Sequence, residues 1–275
     1  MNTLIIGMDG QLGSEMMRVY KNAVGTTRRN NTGLKLNLEN SSEIENVILK
    51  NHPDVVVNAA AITSADEAEA KRAVAYKVNA EAVKHIIHAS SSIGAYVVQV
   101  STDYVFDGCK GNYNESDIPN PINFYGLSKL IGDSYTLTYD NAVVIRTSGI
   151  FGKKLNFPLF VVKTLKEDKT VKAIDSYYSP ISAKRLASVI KDVVEKRYYG
   201  ILNIAGRRIS RYDLANRIKD LLDIRSGTIE ATKTIPNSLA KRPYDSSLDI
   251  SKIKKMTSIN VEDIDADILD MANVL

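Results

Sequence analysis

The apolar run Thr3-Leu-Ile-Ile6 leads straight into Gly7-Met-Asp-Gly10-Gln-Leu-Gly13, and a helix-period segment follows. A buried strand, a G-x-x-G-x-x-G turn and a helix in that order leave few folds open. The first glycine allows a tight turn, the second lets backbone approach a pyrophosphate, and the third lets helix pack closely on strand. The helix start then offers unpaired N–H groups to phosphate. A glycine pattern in isolation carries little; its place between strand and helix carries more. Gly7, Gly10, Gln11, Leu12 and Gly13 are therefore candidate cofactor-binding residues.

The same alternation continues along the chain. Strands are expected at 23–27, 54–58, 95–100 and 142–146. Helices are expected at 11–22, from a capping box Ser42-Glu-Ile-Glu45 to about Asn51, at 66–92 and at 122–140. Apolar strands alternating with helices predict an α/β protein with a doubly wound, Rossmann-type parallel sheet. After residue 147 the pattern loosens, with helices expected at 157–168, 182–196, 210–223 and 261–273 and strands at 170–174 and 200–204. This gives a dinucleotide-binding domain over 1–147, to which elements of about 182–225 return. A smaller substrate-binding part covers 148–181 and 226–275.

Composition narrows the function. The 275 residues can bury a large core, and a net charge of +4 with scattered basic residues is no nucleic-acid footprint. One cysteine, Cys109, excludes an internal disulfide framework and a cysteine-rich metal site. No apolar run is long enough to span a membrane, and no basic, then long apolar, segment precedes the first strand. No membrane partner, no signal peptide and a cytoplasmic location are expected. The second strand ends at Arg28-Arg29, where an acidic residue would bind the ribose of NAD and arginine accommodates the 2′-phosphate of NADP. NADPH is the expected cofactor, with NADH the alternative.

The chemistry-bearing residues follow in order. A strand ends at Val100-Ser101-Thr102, and the next helix opens with Phe124-Tyr-Gly-Leu-Ser-Lys129. Ligands of doubly wound sheets sit outside the carboxyl ends of the strands. Tyr125 and Lys129, four residues apart, share a helix face. A phenol has a reference pKa of about 10, and a nearby ammonium lowers it. In this reading Tyr125 donates a proton as hydride reaches a carbonyl carbon, Lys129 assists and holds the nicotinamide ribose, and Thr102 or Ser101 orients the carbonyl.

The segments GMDGQLG (7–13), DVVVNAAAITSADEAE (54–69), VSTDYVFDG (100–108), NPINFYGLSK (120–129), RTSGIFG (146–152) and KRPYDSSLDISK (241–252) carry a resemblance to the dTDP-4-dehydrorhamnose reductase family, within the extended short-chain dehydrogenase/reductases. They span nearly the whole chain. The resemblance implies Thr102, Tyr125 and Lys129 as a catalytic triad, and Asn58, Ala59, Ala60 and Ala61 along the cofactor crevice with Thr63 and Asp66 nearby. It also implies Thr102, Asp103, Val105, Asn156 and Arg242 toward a nucleotide-sugar substrate, with a homodimer as the assembly. The implied reaction is NADPH-dependent reduction of the C4 keto group of dTDP-6-deoxy-L-lyxo-4-hexulose to dTDP-L-rhamnose.

Two departures stand out. Family members usually carry Trp where this chain has Gly149, with Phe151 as the nearby aromatic, and the acidic residue expected near the adenine is Asn37. Bacterial members can use magnesium at a dimer contact; no acidic cluster answers to that, so no metal is expected. Tyr177-Tyr178 are packing or strand residues, or part of the sugar pocket. The rival class is a partner-binding protein, because the regulatory beta subunit of methionine adenosyltransferase shares the YVFDG and YGxxK segments. An epimerase or dehydratase fits less well with Arg28-Arg29.

Overall fold

The computed structural model describes residues 1–29, 32–233 and 238–273. The first half runs β1 (Thr3–Ile6), α1 (Gln11–Val19), β2 (Val24–Thr27), β3 (Leu34–Lys35), α2 (Ser41–Asn51), β4 (Val55–Asn58), α3 (Ala65–Ala70), α4 (Arg72–Tyr76), a π turn (Lys77–Glu81), α5 (Ala82–Ser92), β5 (Tyr96–Val100), α6 (Phe124–Thr136) and β6 (Ala142–Arg146). The second half runs β7 (Ile150–Phe151), α7 (Phe157–Lys166), β8 (Thr170–Ile174), β9 (Tyr177–Tyr178), β10 (Ile181–Ser182), α8 (Ala183–Glu195), β11 (Gly200–Asn203), β12 (Ile209–Ser210), α9 (Arg211–Leu221), β13 (Thr228–Thr232), α10 (Ser251–Met256) and α11 (Ile264–Ala272).

Among the described residues a seven-stranded sheet has the order β11-β6-β5-β4-β1-β2-β3, parallel throughout. Its strands are nearly all apolar because helices cover both faces. Alternate side chains go opposite ways. Ile5, Val55, Val57 and Val98 pack with residues of α1 and α8, while Leu4, Ile6, Val56 and Val97 pack with those of α2 and α5. The sheet order reverses between β1 and β4, so a crevice opens at their carboxyl ends. A third cluster joins Val161 and Leu165 of α7, Val171 of β8, Leu214 and Ile218 of α9, and Ile268 of α11 beside this crevice. No helix among the described residues is long and apolar enough to cross a membrane.

The structure alters several expectations. The cap of α2 is Asn40, whose side chain accepts from the Glu43 N–H at 3.3 Å, not the Ser42/Glu45 box. The short strands β3, β7, β10 and β12 are two residues long, too short for periodicity to reveal. β13 is exposed along most of its length and pairs in parallel with β8, so it lacks the apolar run expected of a strand. The expected 66–92 helix is broken at Lys71 and widened by the π turn, which serves the site described next.

Candidate active site

A cleft of about 810 Å³ lies over the carboxyl ends of β1, β2, β4, β5 and β6. At its floor the chain turns out of β1 at Gly7, whose φ of +87° belongs to the left-handed region that glycine tolerates. A Cβ there would stand 2.8 Å from that of Ala60, and one on Gly13 would overlap the Gly7 carbonyl oxygen. These glycines therefore hold the turn, α1 and the loop after β4 in close contact. Gly13 does so from behind: Gly7, Gly10, Gln11 and Leu12 line the cleft, and Gly13 does not.

Gly10, the N-cap of α1, has no side chain to satisfy the helix's first N–H groups. Side chains cap α2, α3, α6, α7, α8 and α9. The start of α1 is uncapped, as are those of α4, α5 and α10, but it is the one at the glycine turn, and it faces the cleft, as a pyrophosphate site requires. Gln11 ties this end to the loop after β7: its side chain donates to the Lys154 carbonyl at 3.1 Å and accepts from the Lys154 N–H at 3.0 Å.

Arg28 and Arg29 lie at the end of β2 on the cleft wall, both exposed. Arg28 pairs with Glu39 at 3.1 Å, an exposed contact that a phosphate could displace at small cost. Ala59, Ala60 and Ala61 line the opposite wall. Asn58 does not; it is buried, donates to Gln99 at 2.8 Å and accepts from the Ala60 N–H at 3.3 Å, bracing this loop from beneath.

At the far end, β5 delivers Ser101 and Thr102, and α6 delivers Tyr125 and Lys129. The two hydroxyls separate. Ser101 donates to Asp133 at 2.7 Å, whereas Thr102 donates to the Asp103 carboxylate at 3.1 Å and stands close to the Tyr125 phenol on the cleft. Gly126 permits this approach, since any Cβ would overlap the Tyr104 carbonyl. The Tyr104 ring meets that of Tyr125 edge-on, 5.8 Å between centroids.

The electrostatics correct one expectation. Burial raises the Tyr125 pKa, and the nearby Thr102 hydroxyl only partly offsets it. Lys129 does not bring the phenol down; its ammonium donates to the Val100 carbonyl at 2.6 Å. Burial lowers Lys129 to about 8, opposed by the charge of Asp133 one turn on. Asp133 is itself raised to about 6 by burial, against the pull of Lys129, Ser101 and Arg146. At neutral pH the phenol keeps its proton and the ammonium its charge.

Four residues expected near the substrate are placed differently or more fully tied. Val105 is fully buried, its side chain packed in the core between sheet and α8. Asn156 is spent as the cap of α7, accepting from the Leu159 N–H at 3.0 Å and donating to the Gly152 carbonyl at 2.8 Å, and it does not line the cleft. Arg242 lines the cleft but is held by Asp66 at 2.8 Å. That carboxylate also accepts from the Leu239 and Ala240 N–H groups, and the Arg242 contact chiefly holds it down at about 2. Asp103 is buried at the cleft wall and accepts from Ser148 at 2.7 Å and Ser246 at 2.6 Å; burial raises its pKa.

Other site residues went unread in the sequence. Asn79, in the π turn, accepts from the Ile62 N–H at 2.8 Å, donates to the Ile62 carbonyl at 3.0 Å and donates to Ser128 at 3.0 Å. One side chain thereby pins the loop after β4 to the neighbour of Lys129, a common use of π turns. A polar residue within a helical, apolar stretch was its only signal. Arg211, also unread, reaches the cleft from the second half of the chain, as does Tyr178, one of the tyrosine pair with two readings in the sequence.

The comparisons with known proteins agree with this geometry. The model of the RmlD substrate binding domain matches residues 1–275. The chain belongs to the dTDP-4-dehydrorhamnose reductase family. It is 33% identical to the dTDP-4-dehydrorhamnose reductase of Aggregatibacter actinomycetemcomitans, over 94% of each chain. The crystal structure of a hypothetical dTDP-4-dehydrorhamnose reductase from Sulfolobus tokodaii superposes with a TM-score of 0.93 at 48% identity, covering 98% of this chain and 99% of that one. Methionine adenosyltransferase 2 subunit beta of Rattus norvegicus is 29% identical over 92% of this chain and 81% of its own length.

Proposed function

We propose that the cleft reduces the C4 keto group of dTDP-6-deoxy-L-lyxo-4-hexulose to dTDP-L-rhamnose, with Tyr125 as proton donor. The chain is an NADPH-dependent reductase of its family. The observation that carries the finer reading is the gathering of Thr102 and a half-buried Tyr125 on one cleft, beside an ammonium that is charged at neutral pH. The glycine turn and the uncapped start of α1 fit the pyrophosphate of NADPH. Arg28 and Arg29 fit its 2′-phosphate, and Lys129 would hold the nicotinamide ribose. Bound NADPH supplies the hydride. Thr102 orients the C4 carbonyl, and Tyr125 gives its proton to the C4 oxygen as charge develops there. The phenol is protonated at working pH, as a donor must be. Residues 1–147, with 182–225, carry the cofactor in this reading; 148–181 and 226–275 carry the sugar. The protein acts in the cytoplasm.

The test is NADPH oxidation with dTDP-6-deoxy-L-lyxo-4-hexulose, comparing the wild type with Tyr125→Phe. Turnover that vanishes in the variant, with NADPH still bound, supports the assignment; retained turnover removes Tyr125 as the donor. A wild type that binds NADPH without turnover, but copurifies with a methionine adenosyltransferase catalytic subunit, would establish the partner-binding reading instead.

A further inference from the structure

The sugar end of the cleft contains a cluster that the reaction above does not use. Tyr178 is 3% exposed and lines the cleft, yet its hydroxyl has no hydrogen-bond partner. The hydroxyl of Thr147, also 3% exposed and on the same cleft, has none either. Buried polar groups in native structures are nearly always paired, so two bare hydroxyls on one ligand cleft call for a ligand. The Tyr178 ring stands where a side chain at position 149 would extend: a Cβ on Gly149 would lie 2.7 Å from its Cε2. The aromatic that the family resemblance places at 149 is thus supplied from β9.

The ring face is also occupied. The Arg211 guanidinium lies over it, 4.2 Å from the centroid. Arg211 is fixed at the start of α9, where its Nη1 donates to the Ser176 hydroxyl at 3.0 Å and its backbone N–H to the Ser176 carbonyl at 3.1 Å. It also lies close to Tyr104, the residue edge-on to Tyr125. The acid that acts on it from the site is Asp103, whose oxygens are taken by Thr102, Ser148 and Ser246. A planar fork of donors and two free hydroxyls are therefore gathered a single tyrosine away from the proton donor.

Resting on the reaction proposed above, we propose that Tyr178 and Arg211 form a specificity subsite for a ring hydroxyl next to the reacting carbonyl, the C3 hydroxyl of a 4-hexulose. The cluster offers mainly donors, which an oxygen substituent satisfies. A deoxy carbon there would leave them unpaired, and sites built to bond a hydroxyl reject analogues lacking it. Arginine suits the role because its fork is rigid and stacks on an aromatic face, where lysine would be a mobile point charge.

The experiment compares dTDP-6-deoxy-L-lyxo-4-hexulose with its 3-deoxy analogue in the wild type, Tyr178→Phe and Arg211→Lys. Tyr178→Phe keeps the ring and removes only the hydroxyl. It should lower kcat/KM for the hydroxylated substrate roughly tenfold, the worth of one hydrogen bond to a buried group, and leave the 3-deoxy value unchanged. Arg211→Lys should lose the same discrimination while NADPH affinity holds. Equal losses on both substrates, or none, overturn the proposal. Calorimetric binding of dTDP-L-rhamnose and its 3-deoxy analogue separates the two readings. If the wild type turns neither substrate over, but prefers the hydroxylated ligand and loses that preference in Tyr178→Phe, the subsite stands and only the assigned reaction fails. Equal affinity for both ligands in the wild type overturns the subsite.

Discussion

Asp133 offers the most direct check on how this site keeps its charge. Lys129 is 2% exposed and Asp133 1% exposed, one helical turn apart on α6. At an effective dielectric of about 20, opposite charges about 6 Å apart attract by roughly 2.8 kcal/mol. That equals about two pH units of support for the ammonium. Removing it with Asp133→Asn leaves the burial penalty unopposed, so Lys129 should titrate roughly 1–2 pH units below its present value of about 8. The ammonium exists below its pKa, so NADPH binding should weaken as pH rises through about 8 in the wild type. In the variant the same loss should come at lower pH. Other groups facing Lys129 are the Val100 carbonyl on β5 and, through Asp133, Ser101 just past β5 and Arg146 on β6, 3.9 Å from the carboxylate. The variant also strands Arg146, and breaking a buried pair costs about 3–5 kcal/mol, so Asp133→Glu serves as the charge-keeping control. The assay is fluorescence titration of NADPH from about pH 5.5 to 9.5. An alkaline limb that does not move in Asp133→Asn, or moves equally in Asp133→Glu, would refute the argument.

Four further outcomes are expected. Arg28→Ala should weaken NADPH far more than NADH, as read from their dissociation constants; equal losses would separate β2 from the 2′-phosphate. Gly13→Ala should lower both stability and NADPH affinity, because relieving the overlap with Gly7 costs about 1–3 kcal/mol, more than the helix propensity that alanine gains; an unchanged Tm would contradict it. Gly149→Trp should be poorly tolerated alone, whereas Gly149→Trp combined with Tyr178→Gly should recover stability, measured by denaturant unfolding, since the ring that blocks position 149 is then gone. Asp66→Asn should loosen the contact with Arg242. In the wild type that contact is complete above the ordinary aspartate range and is lost as pH falls toward about 2, so the two proteins should differ in thermal stability at neutral pH and converge in acid.

Much of the first half could be read from the sequence because its information is local. β6 and β8 occupy the expected residues, and β1, β4 and β5 fall within one residue of their expected bounds, because short runs rich in β-branched residues, buried throughout or, in β8, on alternate positions, read as strand and not as helix. Gly7, Gly10, Thr102, Tyr125 and Lys129 were identifiable because each is tied to a strand end or a helix turn at a fixed offset, and the structure gathers them on one cleft. Asn58, Val105 and Asn156 share those segments but sit beneath or behind the cleft, because the side a residue faces depends on the local twist of the loop and not on its neighbours in sequence.

The chain's order of residues by itself determined the parallel sheet, the crevice at its reversal and the helix bearing a phenol and an amine. Only the tertiary structure decided what those groups do. It set the phenol's pKa upward, because burial depends on atoms from distant segments. It set Lys129 within the field of a buried carboxylate, Asp133, which Arg146 faces from β6. It also filled the gap at Gly149 with a tyrosine 29 positions away, braced by Arg211 from a further helix. Sequence spacing constrains geometry over one turn or one strand, whereas the sugar end of this cleft is assembled from four segments that meet only when the core closes.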